Sequence, residues 1–192
     1  MIAAIILAGG RASRLGGADK AAIDVDGRPL IDAAYAAVSG ASPVIAVGPP
    51  SIARSGVIVV QEDPPFGGPV AGVATAITAL ADTDSPAETW LLACDLPRAE
   101  LIVAQLRDVP IPEDADGVIL TDQTGREQWL AGRYRLSSLR SALDALPEVA
   151  GVSMRRLLAV MSIHTIADRV GATLDLDTWD DVEQYRDQED PV

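Results

Sequence analysis

Gly9 and Gly10 are closely followed by Arg11, Arg14 and Lys20. Paired glycines let backbone N–H groups converge on an anion with no Cβ in the way. Guanidinium and ammonium groups beside them match phosphate oxygens. That grouping suits a triphosphate, and a solvated turn is the competing reading. A Gly-x-Gly-x-x-Gly fingerprint and a Gly-Lys-Ser/Thr phosphate loop are both absent from it. Carboxylates form the complementary set. Asp95 stands in Leu91-Leu92-Ala93-Cys94-Asp95-Leu96-Pro97, just past an apolar run. There it can hold Mg²⁺ against phosphates, or bond its own loop. In Leu174-Asp175-Leu176-Asp177-Thr178, strand-like alternation puts Asp175 and Asp177 on one side, within reach of a single cation. Asp177 reads equally well as the N-cap of a following helix.

Short apolar runs with few polar interruptions would position these groups. Residues 2–7, 44–47, 57–60, 90–93 and 118–120 read as strands buried on both faces. Between them, residues 30–38, 70–80 and 99–106 have helical composition. The alternation predicts an α/β fold: one mostly parallel central sheet with helices on both faces. In such sheets ligands collect at the carboxyl ends of the strands, where the first glycine pair and Asp95 fall. Further on, 128–134 reads as a strand entered through a turn at Gly125. Segments 137–146 and 153–160 read as helices, 162–166 as an alternating strand, and a last helix begins near Trp179, capped by Asp177 or Thr178. The acidic stretch after Tyr185 has the composition of a disordered tail.

With 15 basic against 28 acidic residues, the net charge is −13. Such a surface repels phosphate backbones and anionic lipid, so neither nucleic acid nor membrane is an expected partner. Three cations gathered in one loop stand out against that field. A single cysteine, Cys94, and a single histidine, His164, exclude an internal disulfide and a zinc cluster, and both read as structural. The first apolar run lacks a basic leader and is too short to cross a bilayer, which makes a cytoplasmic location the expectation.

Taken together, Leu7-Ala8-Gly9-Gly10, Ser13-Arg14-Leu15-Gly16 and Asp19-Lys20 resemble the signature of the molybdenum cofactor guanylyltransferases, within the wider Rossmann-like nucleotidyltransferase superfamily. The resemblance implies a single Rossmann-like, three-layer domain over 1–192, with a nucleotide-binding part near 1–110 and an acceptor-binding part near 111–192. It implies that Leu7, Ala8, Gly9 and Gly10 wrap the nucleotide by backbone contacts, and that Arg14, Gly17 and Lys20 hold its phosphates. Asp63 and Gly68, in the Pro/Gly-rich stretch 61–72, would contact the nucleoside. Asp95 would be the principal Mg²⁺ ligand and Asp177 a second, with Asp175 a further candidate. Lys20, Arg14 and Asp95 are then the catalytic set. The implied reaction moves GMP from GTP to the terminal phosphate of molybdopterin or Mo-molybdopterin and releases pyrophosphate.

Three departures bear on that reading. Trp129 stands where many members have Pro, Gly48-Pro49-Pro50 replaces an Asn, and Asp175-x-Asp177 replaces Asn-x-Asn. They leave open cytidylyl transfer, a sugar or alcohol phosphate acceptor, or a non-catalytic nucleotide-binding relative. Arg155 and Arg156 offer cations to an acceptor phosphate, or simply open a helix.

Overall fold

The computed structural model describes residues 2–9, 20–25, 27–81 and 86–189. In chain order the elements are β1 (Ile2–Leu7), β2 (Asp24–Val25), β3 (Arg28–Pro29), α1 (Leu30–Ala37), β4 (Val44–Val47) and β5 (Val57–Val60). They continue with α2 (Pro69–Ala81), β6 (Glu88–Ala93), α3 (Ala99–Leu106), β7 (Gly117–Thr121) and β8 (Glu127–Arg135). The last are α4 (Leu136–Asp144), α5 (Met154–Leu158), β9 (Ile163–Ala167) and α6 (Trp179–Glu189).

Among the described residues, seven strands form one sheet in the order β5-β4-β1-β6-β8-β7-β9, and β2 and β3 pair as a small separate hairpin. Every pairing in the large sheet is parallel except the two made by β8. The apolar runs of β1, β4 and β6 follow from burial on both sides, whereas β5, expected to be buried likewise, is an edge strand that is only partly buried and exposes Ile58. Along β1, Ala4 and Ile6 enter a core with Ile31 of α1 and Ile102 of α3, while Ala3, Ile5 and Leu7 enter another with Val73 of α2, Leu139 of α4 and Leu157 of α5. The three-layer expectation therefore holds. A third cluster joins Ile23, Val25 and Leu30 to Leu176, Val182 and Tyr185, and docks α6 beside the small hairpin.

Two expectations need correction. Residues 174–177 form no strand. They run as an irregular segment, with a backbone bond from Leu176 N–H to the Asp95 carbonyl at 3.1 Å. The stretch after Tyr185 is also no disordered tail at its start, because α6 continues to Glu189. A reciprocal cap explains where that helix begins. Thr178 Oγ1 accepts from Asp181 N–H at 3.2 Å, and the Asp181 carboxylate accepts from Thr178 N–H at 2.7 Å. Thr178, not Asp177, is thus the N-cap.

The sheet is irregular beside its carboxyl edge. Pairing of β7 with β8 jumps from Ile119↔Gly132 to Leu120↔Gln128, leaving Trp129, Leu130 and Ala131 bulged on β8. The hydroxyl of fully buried Tyr134 donates to the Trp129 carbonyl at 2.7 Å, which satisfies one group the bulge removes from the ladder. Gly132 is required by close approach: a Cβ there would lie 2.5 Å from Ile119 Cγ2 and 2.8 Å from the Val118 carbonyl oxygen. Gly132→Ala should therefore destabilise the fold by about 1–3 kcal/mol through overpacking. An unchanged midpoint in urea denaturation would contradict this.

Candidate active site

The site grows from three strands whose ladder continues past their ends. Ala8 N–H donates to the Val47 carbonyl (2.8 Å), Cys94 N–H to the Leu7 carbonyl (3.0 Å), and Gly48 N–H to the Val60 carbonyl (2.9 Å). These bonds hold the stretches after β1, β4 and β6 side by side at the carboxyl edge. Leu7 and Ala8 are buried and Gly9 is exposed, so the chain surfaces at the glycine. Gly10, Arg11, Arg14 and Gly17 lie outside the described residues.

Lys20 reappears at a short 3-10 turn, Lys20–Ala22, with Ala21 buried beneath it. Its ammonium sits between two carboxylates, 2.6 Å from Asp95 Oδ2 and 2.5 Å from Asp177 Oδ1. The partners are 75 and 157 residues away in sequence, so only the fold brings them together. Burial works against the charged form of Lys20, but Asp95 and Asp177 more than offset it and raise its pKa. Asp175 belongs to the same neighbourhood. Desolvation, then Asp177 and Asp95, push its carboxyl upward, as expected where acidic groups crowd together. Asp175 thus feels both Asp177 and Asp95, though no strand carries the segment.

The second loop, between β5 and α2, lies against Gly9. Glu62 is the carboxylate that reaches it: a Cβ on Gly9 would be 3.7 Å from Glu62 Oε1. The same oxygen accepts from Phe66 N–H at 3.1 Å, across a turn where Phe66 has φ 66°. Asp63 is exposed, and Gly68 takes φ 91° immediately before α2. Gly67 offers its carbonyl to Gly151 N–H at 2.7 Å, which docks the approach to α5 on this loop. There Ser153 caps α5 by accepting from Arg156 N–H, so Arg155 and Arg156 are exposed at an ordinary helix start near the second loop.

The sequence singles out Asp63 in this loop, whereas the structure turns the neighbouring Glu62 toward Gly9 and leaves Asp63 exposed. Gly48 is a second case. A Cβ there would meet the Ala8 carbonyl oxygen at 3.1 Å, so close backbone approach accounts for the glycine.

The described donors fit a hard divalent cation. Two carboxylates already flank one cationic group, and Mg²⁺ is commonly held by one or two carboxylates with phosphates and waters completing its shell. Among the described residues no group of three or more potential ligands forms a closed metal cage. His164 is exposed on β9, and Cys94 is buried next to Asp95. A cavity of about 430 Å³ near Asp116, Ser138 and Met161 lies at the amino end of β7, the opposite sheet edge from Asp95. No described helix is long and apolar enough to cross a membrane.

A family model described as the MobA-like NTP transferase domain matches residues 4–167, and the chain belongs to that family. A molybdenum cofactor guanylyltransferase of Shewanella halifaxensis is 30% identical over 148 residues, covering 74% of this chain and 71% of that protein. The aligned stretch spans 38%, 52% and 60% of the corresponding proteins of Acidiphilium cryptum, Polynucleobacter asymbioticus and Vibrio parahaemolyticus. In structure, the chain is similar to molybdopterin-guanine dinucleotide biosynthesis protein A of Archaeoglobus fulgidus (TM-score 0.69, 15% identity, 97% and 98% of the two chains). It is also similar to Rv0371c of Mycobacterium tuberculosis in complex with manganese (TM-score 0.71, 18% identity, 97% of each).

Lys20 occupies the point between the carboxylates, where it would compete with a metal ion held by them. Lys20→Met should therefore bind Mn²⁺ more tightly than the wild type in the absence of nucleotide, measured by loss of the free Mn²⁺ electron paramagnetic resonance signal. Weaker binding by the variant would contradict the competition.

Proposed function

We propose that the chain transfers GMP from GTP to the terminal phosphate of molybdopterin or Mo-molybdopterin, releasing pyrophosphate, with Mg²⁺ as cofactor. The observation that carries this reading is the meeting of Lys20, Asp95 and Asp177 in one cluster at the carboxyl edge of a parallel sheet. Family membership and the names of the relatives support it. Asp95 and Asp177 would hold the cation, which when bound neutralises phosphate charge and orients the triphosphate.

The rest of the chemistry is positioning. The backbone of Leu7, Ala8 and Gly9 lies along the nucleotide. Lys20, with Arg14, supplies positive charge to the departing pyrophosphate. Glu62, beside Gly9, is an acceptor for base N–H donors of the kind guanine presents on its Watson–Crick edge. The attacking oxygen belongs to a phosphate that is already ionised at neutral pH, so no side chain is needed as a general base. The acceptor enters from the part built by residues 111–192, where Trp129 and the docked start of α5 lie.

A second reading, transfer of another nucleotide such as CMP or transfer to a sugar or alcohol phosphate, is favoured by one feature: Gly48-Pro49-Pro50 stands where several members of the family the chain resembles carry an Asn, which removes one side-chain contact to the nucleoside. Pyrophosphate release measured with each of the four NTPs and Mg²⁺, with and without molybdopterin, separates the possibilities. The expected outcome is release with GTP that depends on molybdopterin. Product from CTP but not GTP would overturn the base assignment, and no release with any pair would indicate a non-catalytic nucleotide-binding protein.

A further inference from the structure

The match to the family model ends at residue 167, and the chain that brings Asp177 to Asp95 begins there. We propose that Asp168 is a positioning residue for the cation site, its carboxylate fixing the loop that delivers Asp177; this rests on the reading of Asp95 and Asp177 as cation ligands.

Asp168 is only 7% exposed and serves as a hub. Oδ1 accepts from Val170 N–H (3.1 Å) and Gln105 Nε2 (3.1 Å), and Oδ2 accepts from Thr173 N–H (2.8 Å) and Thr173 Oγ1 (2.9 Å). Burial opposes its ionisation, but these donors and the Ala172 N–H hold the carboxyl well below the usual range. The Asp168 N–H itself donates to the Thr121 carbonyl at the end of β7 (2.8 Å), which fixes the hub to the sheet. Gln105 closes the arrangement from α3 by accepting from Arg169 N–H at 3.2 Å.

From that anchor the chain turns at Gly171 (φ 67°), buries Ala172 and Thr173, and reaches Leu176, whose N–H meets the Asp95 carbonyl. Arg98, from the loop that follows Asp95, locks the same stretch at both ends. It donates to the Gly171 carbonyl at 3.4 Å and lies 5.3 Å from the centre of the Tyr185 ring on α6. No strand ladder among the described residues joins this segment to Asp95, and the side-chain scaffold acts with the Leu176–Asp95 backbone bond to place Asp177.

Asn at position 168 would present an NH₂ group to donors on one side whichever way it turned, which breaks half of the hub while preserving its size. Mn²⁺ titration of the nucleotide-free wild type, Asp168→Asn and Asp95→Asn, followed by the free-ion resonance signal, tests the proposal. Thermal midpoints identify a temperature at which each protein is folded. Asp168→Asn should bind Mn²⁺ on the order of ten-fold more weakly, as when outer partners of metal ligands are removed elsewhere. A purely structural role would lower the thermal midpoint and leave that affinity unchanged, which would overturn the proposal. Should Asp168→Asn fail to fold, Gln105→Leu should show a smaller loss in the same direction, and wild-type affinity there would overturn it equally. If the wild type binds no Mn²⁺, or Asp95→Asn binds like the wild type, the cation-site reading falls, and this proposal with it. If only Asp168→Asn and Gln105→Leu match the wild type, the site stands without the proposed scaffold.

Discussion

The ammonium of Lys20 between the carboxylates of Asp95 and Asp177 is the contact on which the rest of the site depends. Its side chains are partly solvated, with exposures of 20%, 19% and 43% for Lys20, Asp95 and Asp177. Ion pairs of that kind add little to stability. Its consequence is spatial, because three stretches from different parts of the chain are held around one point. In a protein of net charge −13, the anionic substrate of the proposed reaction would need local positive charge, which under that proposal the lysine and a cation held by the acids would supply.

The fold supplies that point through the sheet edge. Parallel strands β1 and β6 are neighbours in register up to Leu7↔Ala93, so the chain after each leaves the sheet at the same level. The bond from Cys94 N–H to the Leu7 carbonyl carries the alignment one residue further, to the threshold of Asp95. From the other direction, Leu176 is pinned between its backbone bond to Asp95 and the small apolar cluster with Ile23, Leu30 and Val182. The reciprocal Thr178–Asp181 cap starts α6 immediately afterwards and leaves the Asp177 side chain for Lys20.

What could be read from the chain reflects which forces are local. Strands β1, β4 and β6 were legible because burial on both faces removes polar residues from most of their length, and α3 coincides with its expected bounds. Asp95 stands out as a carboxylate two residues past the end of β6, and Lys20 as a cation in a glycine-rich stretch of an acidic chain. The alternation in residues 174–177 reflects Leu176 entering a core, and no strand among the described residues pairs with the segment. Glu62, Gly48 and Asp168 draw their significance from contacts distant in sequence: with Gly9, with the Ala8 carbonyl and with Gln105 on α3. Nothing in their immediate neighbours signals such contacts.

The proposal that Asp95 and Asp177 act as one unit is tested most directly by a double-mutant cycle on pyrophosphate release. Asp95→Asn, Asp177→Asn and the double variant would be compared with the wild type at saturating nucleotide. Residues sharing one task are strongly non-additive. The account predicts that the double variant is little slower than the slower single variant. Losses that multiply across the two sites would show that the carboxylates act independently, and would contradict it.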